Sequence, residues 1–275
     1  MTNNPIVSVI MSEFNTEPEK LDISIQSILD QTFTNFEFII IDDCGSNDLF
    51  EFTKKYNDSR IIVLRNKKNR GLVYSLNKAI SHSKGGYLLR MDTDDYAFPN
   101  RISVLYEFIK NHPQFSVVSS RVVKVQNGED AGILGKTGEK KTSNILSGDV
   151  PIHPSCILEK RAVQYVGGYK EFKRAEDFAL WCELLLHGFR IYNIKDKLLK
   201  YTVDIEDYSK RKLANRKGEL QARFYYNKKL HGGKIGYFRI IKSVIAGVIP
   251  VSFIKFYRKK TILKNKKNTS NDIND

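Results

Sequence analysis

Short apolar runs rich in β-branched residues alternate with stretches of helical periodicity through about the first 125 residues, and two of the runs end on clustered acids. That alternation constrains the fold more than any other feature. Ile6–Met11 reads as a strand, and residues 17–29 place Leu21, Ile25, Ile28 and Leu29 at helical spacing. Phe36–Ile41 (FEFIII) reads as a strand buried on both faces and ends on Asp42-Asp43. Ser46 stands where it would cap a helix over about residues 47–57. A strand at 60–64, a helix at 71–81, a strand at 87–91, a helix from Pro99 to about Asn111 and a β-rich run at 115–125 follow. The pattern predicts an α/β fold of βαβ units, with a mostly parallel sheet covered by helices on both faces. Ligands of such sheets bind beyond the carboxyl ends of the strands. A Gly-, Lys- and Thr-rich loop at about 127–150 breaks the pattern, and a second region of strands and helices runs from His153-Pro154-Ser155 to Tyr201.

Two strand ends therefore carry the candidate chemistry. Asp92-Thr93-Asp94-Asp95 lies between an apolar strand and Pro99. Crowded carboxylates repel, and a hard cation such as Mg²⁺ or Mn²⁺, held by one or two carboxylates plus substrate phosphates, relieves them. A solvated acidic turn with Asp as a helix cap accounts for them equally well. Asp42-Asp43, ahead of Cys44-Gly45-Ser46, can accept hydrogen bonds from a base or ribose, or can form a turn and cap. Arg70, at a loop-to-helix transition, suits an anionic or planar ligand, or belongs to a basic surface cluster with Lys67 and Lys68. Glu176-Asp177 opens the helical stretch FALWCELLLHG, either as a general base or as acids complementing the helix dipole.

Six segments in order then point to a family: VSVIMSEFN, EFIIIDDCGSND, NRGLVYSLNKAI, YLLRMDTDDYAFPNRI, HPSCILEKRAVQYVGGY and AEDFALWCELLLHG. Over about residues 7–201 the chain resembles the family 2 inverting glycosyltransferases, which have the GT-A nucleotide-diphospho-sugar transferase fold. The resemblance implies a UDP-sugar donor and Mn²⁺ or Mg²⁺ as cofactor. It implies that Ser12 and Phe14 meet the uracil, Phe14 as the stacking ring where the family commonly has Tyr. Asp43, with Asp42, would read the uracil edge and Arg70 would close over the base. Asp92-Thr93-Asp94-Asp95 matches the family's D-x-D motif, with Asp92 and Asp94 toward the nucleotide sugar and Asp94 and Asp95 as metal ligands. Asp177, paired with Glu176, matches the base that deprotonates the acceptor hydroxyl. Trp181 matches a frequent family position, either an acceptor contact or core. One departure stands out: many relatives carry an Arg and a His after a strand like Leu198–Tyr201, where this chain has Thr202 and Asp204. That leaves His153 as the nearest spare imidazole for an acceptor or phosphate contact.

The net charge of +14 suggests a polyanionic partner only until it is located. Between Tyr208 and Lys267 stand 18 Lys and Arg against the single acid Glu219, while the rest of the chain holds 27 basic and 30 acidic residues. A nucleic-acid footprint over the whole protein is thereby excluded, and a nucleic-acid-binding tail is the alternative function. The uncharged stretch Ser243–Ile254 is 12 residues long and contains Pro250, too short for the roughly 20 apolar residues of a span. Flanked by lysines and arginines, it fits a basic amphipathic helix on an anionic lipid surface, or a helix packed on the body. The expected organisation is a catalytic domain at 1–205 (nucleotide-binding half 1–98, acceptor-binding half 99–205), a helical membrane-association region at 206–265 and a disordered tail at 266–275. Cys44, Cys156 and Cys182, widely spaced, together with no signal-like opening, point to a reducing cytoplasm. The expected reaction is β-transfer of a hexose, glucose or galactose, from a UDP-sugar to a polyprenyl-diphosphate-linked saccharide in O-antigen or capsule assembly, at the cytoplasmic face of the inner membrane. A nucleotidyltransferase is disfavoured because no Gly-rich phosphate loop follows the first strand.

Overall fold

The structure, a computed structural model, describes residues 4–203 and 216–248. Its first half runs β1 (Val7–Glu13), α1 (Pro18–Leu29), β2 (Phe36–Asp42), α2 (Leu49–Lys54), β3 (Ile61–Arg65), α3 (Leu72–His82) and β4 (Tyr87–Arg90). The strands lie in the order β3-β2-β1-β4, all parallel. The FEFIII run shows why. Phe36, Phe38 and Ile40 point into one apolar layer with Leu21, Ile25 and Ile28 of α1, while Ile39 and Ile41 point into the other with Leu76 and Ala79 of α3. A strand that must satisfy two layers has no polar face. β1 and β4 meet closely at their amino ends, where a Cβ on Gly85 would lie 2.7 Å from the backbone N of Ser8.

The second half comprises β5 (Tyr96–Ala97), α4 (Arg101–Asn111), β6 (Val117–Gln126), β7 (Glu129–Leu134), β8 (Gly138–Glu139), α5 (Thr142–Ser147), β9 (Cys156–Glu159), α6 (Lys160–Tyr165), α7 (Glu176–Leu186) and β10 (Ile191–Thr202). The sheet continues β4-β9-β6-β10-β5. β9 runs antiparallel to both β4 and β6, while β6 and β10 are parallel. Parallel pairing thus describes the nucleotide half, and the complete sheet is mixed. The expected irregular loop at 127–150 is another departure. Asn127 and Gly128, at φ 55° and 77°, form a two-residue turn that folds β7 back on β6, and α5 follows. Asn-Gly between strand-forming residues is a hairpin signal. α2 is capped by Asp48, whose Oδ1 accepts from the Glu51 N–H at 3.2 Å, not by Ser46.

Beyond β10 the chain forms α8 (Lys217–Lys229) and α9 (Gly233–Val248). α8 packs on α7: Ala222 and Tyr226 are buried in the core layer that holds Phe178 and Trp181, and the Tyr226 hydroxyl donates to Glu183 Oε1 at 2.8 Å. Asp204 and the stretch from 249 onward, with the expected disordered tail, lie outside the described residues. Among the described residues no helix is long and apolar enough to cross a membrane.

Candidate active site

β1 and β2 end in register, Glu13 beside Asp42. Asp42 is fully buried; its Oδ1 accepts from the N–H groups of Cys44 (2.9 Å) and Gly45 (3.2 Å), and Arg65 lies 3.3 Å from Oδ2. Asp43 Oδ1 accepts from Asn66 Nδ2 (2.7 Å) and the Arg70 N–H (2.8 Å), and its Oδ2 from the Gly71 N–H (2.7 Å). Both acids thus shape the turns. Asp43 fixes the backbone that presents Arg70, with Gly71 at φ 84° opening α3. Arg70 is exposed and its guanidinium sits 4.3 Å from the centre of the Tyr74 ring. Phe14 is 48% exposed and Ser12 half-buried, so a flat ring and a cation stand at the ends of neighbouring elements.

Glu13 was not singled out in the sequence, yet it ties this region together. Its Oε1 accepts from the Thr16 N–H (2.9 Å) and Asn47 Nδ2 (2.8 Å), and burial pushes its carboxyl up. The Thr16 hydroxyl in turn bonds the Thr93 hydroxyl at 2.7 Å, fastening the first turn to the acidic one.

In the acidic turn the expected metal pair is divided. Asp95 is 1% exposed; its Oδ1 accepts from the Thr202 N–H at 2.9 Å and its carbonyl from the Ser24 hydroxyl at 2.6 Å. Burial, with Asp92 beside it, pushes its carboxyl well up. Asp95 is a buried strut joining the turn to β10, while Asp92, paired with Arg90, and Asp94 are half-buried. Thr202, the position where the resemblance leads to an expected Arg, takes the strut through its backbone N–H. Three carboxylates in one turn, with the Asp95 Oδ2 buried and unpartnered, fit a divalent cation. Among the described residues no three side chains form a ready-made cage. A Mg²⁺ or Mn²⁺ ion held here would take one or two of these carboxylates and complete its shell with phosphate and water.

The acid pair Glu176-Asp177 occupies the first turn of α7. Burial and the Asp177 charge push Glu176 up to about 7, and burial raises Asp177, whose Oδ1 accepts from the Phe178 N–H at 2.6 Å. Burial is the larger cause for Glu176 and the Asp177 charge the second, and near neutrality this carboxyl is about half protonated. Two further residues, missed in the sequence, connect this pair to the acidic turn. Arg90, fully buried at the end of β4, bonds Asp92 and the Met91 carbonyl, and its charge reaches Glu176, Asp177 and His153. Tyr201, near the end of β10, feels Asp92, Asp94, Asp95 and Asp177 together. A lone Arg on an apolar strand just before the acids was the available signal; Tyr201 offered none.

His153 and Trp181 are placed away from any open surface. His153 shares a 2.7 Å hydrogen bond between Nε2 and the Tyr169 hydroxyl, and burial holds it well below the usual imidazole range, hence neutral. Trp181 is fully buried beside it, rings 6.0 Å apart. Their part is to support the Tyr169 loop, which Asn77 pins to α3 by accepting from the Tyr169 N–H (2.9 Å) and donating to its carbonyl (3.0 Å).

A strand-end nucleotide site of this kind facing a helix that carries a paired carboxylate defines a nucleotide-sugar transferase. The chain belongs to glycosyl transferase family 2, whose sequence profile it matches over residues 8–161, and its fold is the GT-A fold. It is 28% identical over 272 residues to the putative glycosyltransferase EpsE of Bacillus subtilis (strain 168), covering 97% of this chain and 98% of that one. It is 27% identical over 188 residues to the Escherichia coli UDP-Glc:alpha-D-GlcNAc-diphosphoundecaprenol beta-1,3-glucosyltransferase WfaP, covering 68% and 73% of the two. Among solved structures, the Pyrobaculum calidifontis mannosyltransferase PcManGT in complex with GDP-Man and Mn²⁺ superposes with a TM-score of 0.67 at 13% identity, over 95% of this chain and 81% of that one.

Proposed function

We propose that the protein transfers a hexose, glucose or galactose, from a UDP-sugar to a polyprenyl-diphosphate-linked saccharide with inversion, forming a β-linkage during assembly of a cell-surface polysaccharide. The observation that carries this reading is the convergence of two acid groups. The Arg90 charge reaches Asp92, Asp95, Glu176 and Asp177, and Tyr201 feels Asp92, Asp94, Asp95 and Asp177. Donor phosphates and acceptor hydroxyl would thus meet between the acidic turn and the first turn of α7. WfaP, by its name, acts on a lipid-linked acceptor, which supports the acceptor class.

In this reading Phe14 stacks on the uracil, Ser12 and the turn held by Asp42 and Asp43 line its edge, and Arg70 closes over it. Asp94, with Asp92, would hold Mn²⁺ or Mg²⁺, which supplies electrostatic stabilisation of the diphosphate leaving group. Arg90 neutralises Asp92 and keeps the turn from expelling the anionic donor. Asp177 takes the proton of the acceptor hydroxyl as its oxygen attacks the anomeric carbon, and the sugar–phosphate bond breaks in the same displacement. Glu176, raised to about 7, carries only part of a negative charge near neutrality, which lowers the repulsion of the incoming diphosphate. The exposed stripe Phe238, Ile241 and Ile245 on α9, beside Lys234 and Lys242, would rest on the anionic cytoplasmic membrane face where such acceptors reside.

The test incubates the purified chain with Mn²⁺, a panel of UDP- and GDP-sugars and a GlcNAc-diphosphate-alkyl acceptor, with the product's anomeric configuration read by NMR. A β-linked hexose from a UDP-sugar is expected. An α-linked product, or transfer from GDP-sugars alone, overturns the corresponding part.

A further inference from the structure

The strongest unassigned feature is an apolar groove of about 850 Å³ between α8, α9 and the loop ahead of α7. Phe172, Leu220, Phe224, Tyr225, Ile240 and Val244 line it. Phe224 is 56% and Tyr225 43% exposed, an aromatic surface of the kind that marks a binding site. The groove is continuous with the loop that leads into α7. Phe172 stands four residues before Glu176, and its ring packs on Tyr225 and Tyr226 at 5.9 and 5.8 Å. The loop is also in direct backbone contact with α8, since a Cβ on Gly218 would meet the Lys173 carbonyl oxygen at 2.3 Å. Lys228 and Lys229 form one rim, the Lys229 ammonium lying 4.8 Å from the Tyr225 ring centre.

We infer that this groove binds the prenyl chain of the acceptor, with Lys228 and Lys229 facing its diphosphate. The inference rests on the lipid-linked acceptor proposed above and adds where the lipid lies. An apolar trough with two cations at its rim complements an amphiphile with a hydrocarbon body and an anionic head. Its position beside the loop that leads into α7 would deliver the acceptor sugar toward Asp177. The volume is within the roughly 300–1,000 Å³ of small-molecule sites.

The experiment measures binding of farnesyl diphosphate to the full chain, beside inorganic diphosphate and prenyl-free anionic vesicles. The variants are Phe224→Asp, at an exposed position, and Gln221→Trp, which fills the groove from its rim. Each is expected to weaken farnesyl diphosphate at least tenfold, leave UDP binding unchanged, and raise KM for a long-chain prenyl acceptor but not for a short alkyl one. Unchanged farnesyl diphosphate binding in folded variants overturns the inference. So does inorganic diphosphate binding as tightly as the farnesyl ester, or a loss confined to vesicle binding, which would make the surface a membrane face. A variant that turns a dimer into a monomer without changing probe binding assigns the groove to a second copy. If the wild type binds the probe but transfers sugar to neither acceptor, the glycosyltransfer reading fails while the groove stands.

Discussion

The turns at the ends of β1 and β2 and the helix pair α8–α9 are built by opposite means. In the first, short polar side chains bond backbone groups of other turns: Asp43 to Arg70 and Gly71, Glu13 to Thr16, Asn15 to Ser46. In the second, one buried edge carries the attachment and the outward faces show Phe224, Phe238 and Ile241 to solvent. A site for one rigid nucleotide is served by fixed backbone; a site for a flexible chain is served by apolar area. In the proposed reading the contrast would separate donor recognition from acceptor recognition in space.

Asp177→Asn breaks the chemistry that the two regions would serve and should show the largest effect. A loss in kcat of about 10²–10⁴-fold is expected, the usual worth of a general base, with UDP affinity unchanged in a calorimetric titration. Truncation sharpens the contrast next. A chain ending at Val203 loses Ala222 and Tyr226 from the core and should not unfold cooperatively. One ending at Gly232 keeps α8 and should still bind UDP while losing affinity for anionic vesicles. Tyr226→Phe removes only the hydroxyl that serves Glu183, and about 1–3 kcal/mol of stability should go with it in denaturant unfolding.

The smallest expected effect is one of pH. Glu176 is raised on folding from 4.5 to about 7, so the folded chain binds that proton more tightly than the unfolded one. Stability from this group is present below about 4.5 and falls as pH rises toward about 7. Glu176→Gln should flatten that part of a Tm-against-pH curve. Equal slopes in variant and wild type would mean that the α7 pair does not share charge as described.

The parallel nucleotide half was legible because two-layer burial writes itself as unbroken apolar runs, and acids stand out where those runs end. β9 was not legible as an antiparallel insertion, since CILE has the same composition in either direction. The division between Asp94 and Asp95 was also hidden, because it depends on which neighbour meets the Thr202 backbone 107 residues away. Glu13 and Arg90 lay inside quoted motifs but were passed over. A polar residue surrounded by hydrophobic ones declares its importance only once its partners are known. For α8, one packed edge of Ala222 and Tyr226 within a basic stretch is too faint a periodicity to distinguish from a solvated helix.

Gly85 carries a consequence for the far end of the sheet. With 2.7 Å between a would-be methyl group and Ser8 N, β1 and β4 are spaced at their starting ends by the absence of a side chain. Strands behave as stiff rods, so a wedge at one end changes the gap at the other. That gap separates the turn that would hold the base from the turn that would hold the phosphates. An alanine at position 85 would act as a shim, altering the reach demanded of a nucleotide diphosphate without touching any residue that contacts it. In the proposed reading, the span of the donor site would thus depend on a residue at the opposite rim of the sheet.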